Sequence, residues 1–288
     1  MLKQLSILFI VLVLFSCSTS EKAIAPNPSK ELSEKEKVAF GRAYADGAKA
    51  KILENYEEAK IYYQTALKVN PKHAAANYEL GLVYNALKQP QLAFQQFKLA
   101  TELDPTNYWY KLSYASYLDN ANDKTAAIEV YKELVELKPN QVELKYALAQ
   151  MLHEKGDVEA CLKYLNEIEE EIGINEEISK QKRNIYLSEN DVDGASKAIQ
   201  ELIEAYPSEL NYYGWLADIY MSNGQEEKAE EVYEQMQSLA PEDYRVQFSM
   251  AEYYRTQGKK EEFLKSLKVA FENPAMNIDD KVKYVLRL

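Results

Sequence analysis

Residues 74–107 read AAANYELGLVYNALKQPQLAFQQFKLATELDPTN, and this stretch decides the fold. It holds two helix-forming segments with a turn between them, and Pro105 ends the second. A fixed interval of 34 residues between helix-ending positions indicates one two-helix unit stacked repeatedly. The sequence therefore predicts an all-α protein. The helix-ending positions are Pro71, Pro105, Pro139, Gly173, Pro207 and Pro241.

We number each 34-residue repeat from the residue that lies 31 positions before its helix-ending residue, and call this numbering the frame. Three other positions of the frame recur with the same period. Positions 8 and 20 hold small residues in six of seven repeats, as expected where two helices approach closely. Position 15 holds glycine or asparagine in five of seven repeats, and both tolerate the left-handed backbone that ends helices. Position 15 reads Glu54, Lys88, Asn122, Gly156, Asn190, Gly224 and Gly258.

The pattern resembles the tetratricopeptide repeat, whose signature is L-G-x2-Y followed by A, F or Y, A and P. The fourth and fifth repeats depart from it at Gly173 and at the pair Lys182 and Arg183, so their helix boundaries are less well defined. The resemblance implies a right-handed α-solenoid of about seven repeats in residues 33–277, starting at 40, 74, 108, 142, 176, 210 and 244. The second repeat matches at Leu80, Gly81, Tyr84, Ala93, Phe97, Ala100 and Pro105.

The first residues form a different kind of segment. Lys3 precedes an apolar run over residues 5–15 that is too short to span a membrane and is typical of an export signal. Residues 14–17, LFSC, resemble the bacterial lipobox, which implies cleavage before Cys17 and acylation of that cysteine, including palmitate. We expect a signal peptide at 1–16 and a lipidated tether at 17–32, because two or three acyl chains anchor a protein stably. Ser33 and Glu36 have capping-box spacing, so helix begins there.

The anchor implies a bacterial membrane lipoprotein. Ser18 stands where an aspartate would favour retention at the inner membrane, so we expect the outer membrane. Residues 19–22 are a poor match to a surface-export signal, which favours the periplasmic face over the cell surface.

The sequence contains no catalytic motif and predicts a protein that is not an enzyme and binds no cofactor or metal. His73 and His153 have no neighbours at metal-ligand spacing, and His73 is expected to be exposed. The acidic residues between 167 and 177 are interpreted as a solvated helix face. Cys161 occupies a small-residue column and is predicted to pack in the core. A net charge of −12 without a basic stripe excludes nucleic acid as a partner.

The predicted binding surface is a concave groove that holds other proteins or peptides. By resemblance to the family, the first helix of each repeat, called helix A, lines this groove at positions 2, 5, 9 and 12 of the repeat. Trp109 is the preferred anchor, whereas Tyr78, Leu112 and Tyr146 have packing on the next helix A as an equal alternative. The groove residues are Tyr44, Tyr78, Leu82, Trp109, Leu112, Tyr146, Gln150, Lys180, Asn184, Asp218, Met221, Arg245, Phe248 and Arg255.

Residues 278–288 are predicted to form a partial eighth helix A or a cap. Its apolar residues are expected on more than one face, so it either docks on another copy as a homo-oligomer contact or belongs to a longer repeat protein. The leading function is a membrane-anchored scaffold for protein partners in secretion, outer-membrane assembly or motility. The alternative is a surface-exposed lipoprotein that binds an external glycan or peptide.

Overall fold

The computed structural model describes residues 31–286. In that range the chain forms fifteen α-helices and no strand, so the predicted all-α class is confirmed. Residues 1–30, with the proposed signal peptide and Cys17, lie outside the described residues. The helices are α1 (Glu34–Ile52), α2 (Tyr56–Val69), α3 (Ala74–Ala86), α4 (Pro90–Leu103), α5 (Tyr108–Asn120), α6 (Lys124–Leu137), α7 (Val142–Lys155), α8 (Val158–Ile172), α9 (Glu176–Ser188), α10 (Val192–Ala205), α11 (Leu210–Ser222), α12 (Glu226–Leu239), α13 (Tyr244–Thr256), α14 (Lys260–Glu272) and α15 (Ile278–Val285).

The chain divides into two compact units at Pro71. The described part of the first unit is the helix pair α1 and α2, and the second unit contains α3 to α15. In the second unit, α3, α5, α7, α9, α11 and α13 begin at residues 74, 108, 142, 176, 210 and 244, the first positions of the 34-residue frame. Each of these A helices is followed by its B helix in the same repeat. None of the helices described is long and apolar enough to cross a membrane.

The start of α1 is fixed by a capping box. The Ser33 hydroxyl accepts a hydrogen bond from Glu36 N at 3.3 Å, and the Glu36 carboxylate accepts one from Ser33 N at 2.8 Å. Both bonds satisfy backbone donors that the first turn of a helix leaves unpaired. The predicted helix start at this position is confirmed, and α1 begins six residues before the first repeat frame.

All seven residues at position 15 have a positive φ, between 57° and 83°. Asparagine and glycine were expected there, but Glu54 (φ 59°) and Lys88 (φ 57°) adopt the same left-handed conformation. A side chain with a Cβ pays a steric cost in this region. The packing of the two helices therefore imposes the turn geometry even where the local residue disfavours it.

The small-residue columns lie where the two helices of a repeat meet. A Cβ added at Gly81 would lie 2.7 Å from Cε1 of Phe97, so only glycine fits between α3 and α4 as they are packed. Ala93 and Ala127 at position 20 have no exposed surface, and Cys161 is 2% exposed. The predicted packing role of Cys161 is confirmed, and burial raises the pKa of its thiol to about 11.

Repeats 4 and 5 add buried charge to this apolar packing. Lys182 Nζ lies 2.7 Å from a Glu169 carboxylate oxygen and 3.4 Å from one of Glu201. Ser179 also donates a hydrogen bond to Glu169 at 3.1 Å. The interpretation of residues 167–177 as a solvated face is therefore wrong for Glu169, which is 6% exposed. From the sequence, Glu169 is expected on the surface, but it lies in the core because its partner Lys182 is buried with it.

Lys111 and Lys145 repeat the same arrangement at position 4 of their repeats. Each is buried and forms an ion pair with the B helix of its own repeat: Lys111 with Glu133, and Lys145 with Glu171 and, at 3.5 Å, Glu167. The hydrogen bond to Glu171 raises the pKa of Lys145, against an opposing effect of burial. Lys145 therefore remains charged inside the array.

His73 has a structural role in the described part of the chain. Its Nδ1 accepts a hydrogen bond from Ala76 N at 3.2 Å, which caps α3. The side chain is half-buried, so the expectation that His73 is exposed is wrong, and burial lowers its pKa. Within residues 31–286 no group of His, Cys, Asp and Glu side chains is arranged to hold a metal ion.

The last helix, α15, presents apolar residues to solvent. Ile278, Val282 and Val285 are all more than half exposed. Their spacing of four and three residues puts them on one face of the helix. Apolar residues were expected on more than one face, whereas these three exposed residues share one face, and the homo-oligomer contact remains a prediction.

Candidate functional site

Three clefts open at junctions between successive repeats of the second unit. The second and third lie between the A helices of neighbouring repeats, whereas the first is lined by α4, the B helix of repeat 2, together with α3 and α5. Each is bounded by position 12 of one A helix and by positions 9, 10 and 13 of the next. We call them the first, second and third junction clefts, between repeats 2 and 3, 4 and 5, and 5 and 6. The bounding residues are Asn85, Ser116, Tyr117 and Asn120 in the first, His153, Asn184, Ile185 and Ser188 in the second, and Leu187, Asp218, Ile219 and Ser222 in the third.

The repeat sequence explains why these clefts stay open. Positions 9 and 13 lie one turn apart on the same side of an A helix. In α9 they are Asn184 and Ser188, and in α11 they are Asp218 and Ser222, all short polar side chains. Short side chains leave space between neighbouring A helices, while position 10 between them is directed inward, as the buried Ile185 and Ile219 show. The clefts are therefore a consequence of the repeat frame.

The second cleft encloses about 420 Å³, and Gln150, Gln181, Asn184 and Ser188 are the uncharged polar residues among those that line it. Gln150 and Gln181 contribute carboxamides from α7 and α9. The Asn184 carboxamide is held by Arg183, whose Nε and Nη2 donate to Asn184 Oδ1 at 3.1 and 3.0 Å. Carboxamides offer both donors and acceptors, so this cleft can pair with a peptide backbone.

The third cleft shares Asn184 with the second and adds an aromatic surface. Lys180 Nζ and the Arg183 guanidinium lie 4.8 and 5.4 Å from the centre of the Trp215 ring. Burial raises the pKa of Asp218, against the opposing charge of Arg183. Trp215 was missed by the sequence analysis because it occupies position 6 of its repeat, outside the expected positions. The available signal was that it is one of only two tryptophans in the chain.

Of the residues predicted for the groove, Gln150, Asn184 and Asp218 line the clefts. Lys180 contacts the third cleft through Trp215. Leu82 and Met221 are half-buried on their A helices and are not among the residues lining the clefts.

Several predicted aromatic residues pack within the array. Tyr78 lies 4.7 Å from Tyr110 on the next A helix and 5.5 Å from Phe97, measured between ring centres, as the packing alternative describes. Tyr44, in the first unit, packs against Phe40 and Tyr63. These rings stabilise helix contacts. Leu112 and Tyr146 join the core of the middle repeats, and Phe248 packs edge-on against Phe271 at 5.8 Å.

The two arginines of the last repeat are paired locally. Arg245 lies 2.7 Å from Asp243, and Arg255 donates to Glu252 at 3.0 Å. These ion pairs lower the pKa of both carboxyl groups, through hydrogen bonds to the guanidinium groups. A partner would have to compete with them for either arginine.

Trp109 is 62% exposed at the start of α5, and its ring contacts Tyr108 edge-on at 5.0 Å. This exposure is large for tryptophan, because burying its ring is favourable. It lies outside the three clefts, and its role as an anchor stays a prediction. Cys17, the predicted lipidation site, lies outside the described residues.

The family model of the tetratricopeptide repeat matches residues 53–108, 115–172 and 184–244, more than half of the chain. The chain belongs to the tetratricopeptide repeat family. Members of this family are typically binding scaffolds and not enzymes. Comparison with curated protein sequences gives no significant match.

The chain is also similar to solved structures. A chain of the Naa15/Naa10 complex bound to HypK-THB is 16% identical with a TM-score of 0.59, over 88% of this chain and 39% of that chain. YrrB, a TPR protein with an unusual peptide-binding site, is 18% identical with a TM-score of 0.49, over 62% and 92%. A tetratricopeptide repeat protein from Parabacteroides merdae ATCC 43184 is 16% identical with a TM-score of 0.47, over 87% and 98%.

Proposed function

We propose that this tetratricopeptide repeat protein is a membrane-anchored adaptor that holds a segment of a protein partner in its second and third junction clefts. The observation that carries the proposal is the continuity of these clefts through Asn184, which lines both. A scaffold that places equivalent clefts on successive repeats can hold an extended segment at several points.

The chemistry of the two clefts describes the partner segment. Gln150 can exchange hydrogen bonds with the backbone of an extended chain. Gln181 offers its carbonyl oxygen, because its amide donates to Tyr146 and Glu177, and Asn184 offers its amide, because its Oδ1 accepts from Arg183. Trp215 offers an apolar ring face at the edge of the third cleft, where a partner side chain could bury itself. We therefore expect a segment with an apolar anchor residue that covers this ring. A polyanionic segment is not expected, because the net charge of −12 would repel it.

Photocrosslinking tests this binding surface. A photoreactive amino acid at Asn184 should crosslink to a protein partner in living cells, and the same group at Lys197 should not. Lys197 is a suitable control because its side chain is 76% exposed on α10, a B helix. Equal crosslinking from both sites would overturn the proposed surface.

Trp109 provides a second test of partner capture. Because Trp109 is exposed, Trp109→Ala should weaken capture from membranes and leave the helical circular dichroism signal unchanged. A large loss of helicity would instead assign Trp109 to the core.

The membrane anchor is proposed from the lipobox-like residues before Cys17. Cells grown with an alkynyl palmitate analogue should label the parent protein, and Cys17→Ser should abolish the label and release the protein from membranes. Protease treatment of intact cells then separates the two locations. Protection supports the periplasmic face of the outer membrane and an envelope process such as secretion, outer-membrane assembly or motility. Digestion supports the alternative of a surface lipoprotein.

A further inference from the structure

The first junction cleft differs from the other two in size and in charge. It encloses about 850 Å³, twice the volume of the second cleft. None of its lining residues is Asp, Glu, Lys, Arg or His, although 28% of the chain is charged. The second cleft includes His153 and Glu154, and the third includes Arg183 and Asp218. An uncharged cleft of this size on a strongly acidic protein favours a neutral ligand.

Carboxamides dominate the polar lining of this cleft. Asn85, Gln91, Gln95 and Asn120 converge on it from α3, α4 and α5. The Asn120 carboxamide donates to Ser116 O at 2.7 Å, which orients it. The side chains of Gln91 and Gln95 are exposed, and their carboxamides form no hydrogen bond within residues 31–286. A carboxamide presents a donor and an acceptor side by side, so it pairs with a hydroxyl, which both donates and accepts.

Two aromatic rings form the apolar part of the cleft. Phe94 packs against Tyr114 at 5.5 Å, and Tyr117 packs against Phe97 at 5.3 Å, so each ring is supported from one side. The Tyr117 hydroxyl donates to Asn85 Oδ1 at 2.6 Å, and burial raises the pKa of Tyr117, so the phenol is neutral at physiological pH. Rigid, half-buried rings provide a preorganised apolar surface, and little entropy is lost when a ligand covers it.

We propose that the first junction cleft binds a neutral oligosaccharide. Sugar rings present hydroxyl groups around their edge and C–H groups on their faces. The hydroxyl groups match the carboxamides of Gln91 and Gln95, and the C–H faces match the rings of Phe94 and Tyr117. A charged peptide or a nucleotide would find no counter-charge in the lining. This site is separate from the clefts assigned to the protein partner and does not depend on them.

The test uses the full-length protein in a detergent without a sugar headgroup. Maltohexaose, cellohexaose, xylohexaose and chitohexaose are titrated in turn, with binding followed by calorimetry and by saturation-transfer NMR. At least one oligosaccharide should bind in the micromolar to millimolar range. The double variant Gln91→Ala/Gln95→Ala should weaken that binding at least about tenfold. Both glutamines are exposed, so the variant should keep the helical signal of the parent.

Gln150→Ala is the matched control, because it removes a carboxamide from the second cleft and should leave oligosaccharide binding unchanged. Failure of all four oligosaccharides to bind at millimolar concentration would overturn the proposal. Binding that is insensitive to Gln91→Ala/Gln95→Ala would also overturn it. A neutral peptide of Gln, Asn and Ser is titrated alongside, and selective binding of this peptide would assign the cleft to a peptide ligand instead. Crosslinking at Asn184 is unaffected by any of these results, so the adaptor function is tested separately.

Discussion

Repeat 2 and the junction of repeats 4 and 5 use opposite chemistry in the same frame. In repeat 2 the helices approach at Gly81, whose missing side chain leaves room for the Phe97 ring. At the later junction Lys182 lies between Glu169 and Glu201, and both Lys182 and Glu169 are buried. The comparison teaches that the two-helix frame accepts an apolar or an ionic interior, provided that a buried charge has an oppositely charged partner.

The two solutions should fail in different ways. A larger side chain at Gly81 should destabilise the protein by steric clash. Removal of one charge from the ionic contact should destabilise it because the other charge remains buried without a partner.

The largest effect is expected at the ionic junction. Lys182→Met leaves Glu169 as an unpaired buried carboxylate and should lower the free energy of unfolding by about 3–5 kcal/mol. Urea unfolding followed by circular dichroism measures the loss. Lys197→Met, which removes a lysine whose side chain is 76% exposed, should cost less than about 0.5 kcal/mol. Similar losses in the two variants would show that the Lys182 pair adds nothing beyond a surface interaction.

A double variant separates the missing partner from the missing packing. Lys182→Met/Glu169→Leu replaces the pair with apolar residues and should recover most of the stability lost in Lys182→Met. A double variant that is less stable than the single one would mean that the pair itself, including the Ser179 hydrogen bond, is required for the fold.

A smaller effect is expected at the apolar contact. Gly81→Ala places a Cβ 2.7 Å from Cε1 of Phe97 and should cost about 1–3 kcal/mol in unfolding free energy. Gly214→Ala in α11 is the matched control, because a Cβ there meets nothing within 4 Å. It should stabilise the protein by about 1 kcal/mol, since alanine favours helix over glycine. The two changes should therefore move the unfolding midpoint in opposite directions, and the same sign for both would contradict the close approach at Gly81.

A substitution at position 15, the turn between the two helices, should change the free energy of unfolding by about 1 kcal/mol. The sign depends on whether glycine is introduced or removed. Lys88 has φ 57°, so Lys88→Gly should stabilise the protein. Gly156 has φ 83°, so Gly156→Ala should destabilise it. Thermal unfolding of both variants measures the difference. Destabilisation by Lys88→Gly would mean that the lysine side chain has a stabilising contact larger than its backbone strain.

The smallest effect should appear only at alkaline pH. The pKa of Cys161 is raised by burial to about 11, above its value in the unfolded chain. Its contribution to stability is therefore complete below the unfolded pKa and is lost as pH rises towards 11. Between about pH 9 and 11 the parent should lose more stability than Cys161→Ala, which has no thiol to ionise. Parallel pH profiles for the two proteins would show that the thiol is accessible to solvent when folded.

Local signals in the sequence predicted much of the fold. Ser33 and Glu36 defined a helix start, and the 34-residue interval indicated consecutive helix pairs. Glu169 and Lys182 could not be assigned in this way, because each is polar and becomes a core residue only through the other. The candidate site was predicted in part for a related reason. Gln150 and Asn184 were identified from their positions, but Trp215 was not, because which helix positions border a cleft depends on how neighbouring helices cross.

The sequence by itself determined the helical class, the period of the repeat and the small residues that allow its helices to approach. These properties follow from local preferences and from the steric limits of a single helix pair. Tertiary structure alone decided which charges are buried, which aromatic rings pack against a neighbouring helix and where the three junction clefts open. Those outcomes depend on pairs of residues 13 to 35 positions apart in the chain, such as Lys182 with Glu169 and Tyr78 with Ser113. No local pattern specifies such pairs before the helices are packed.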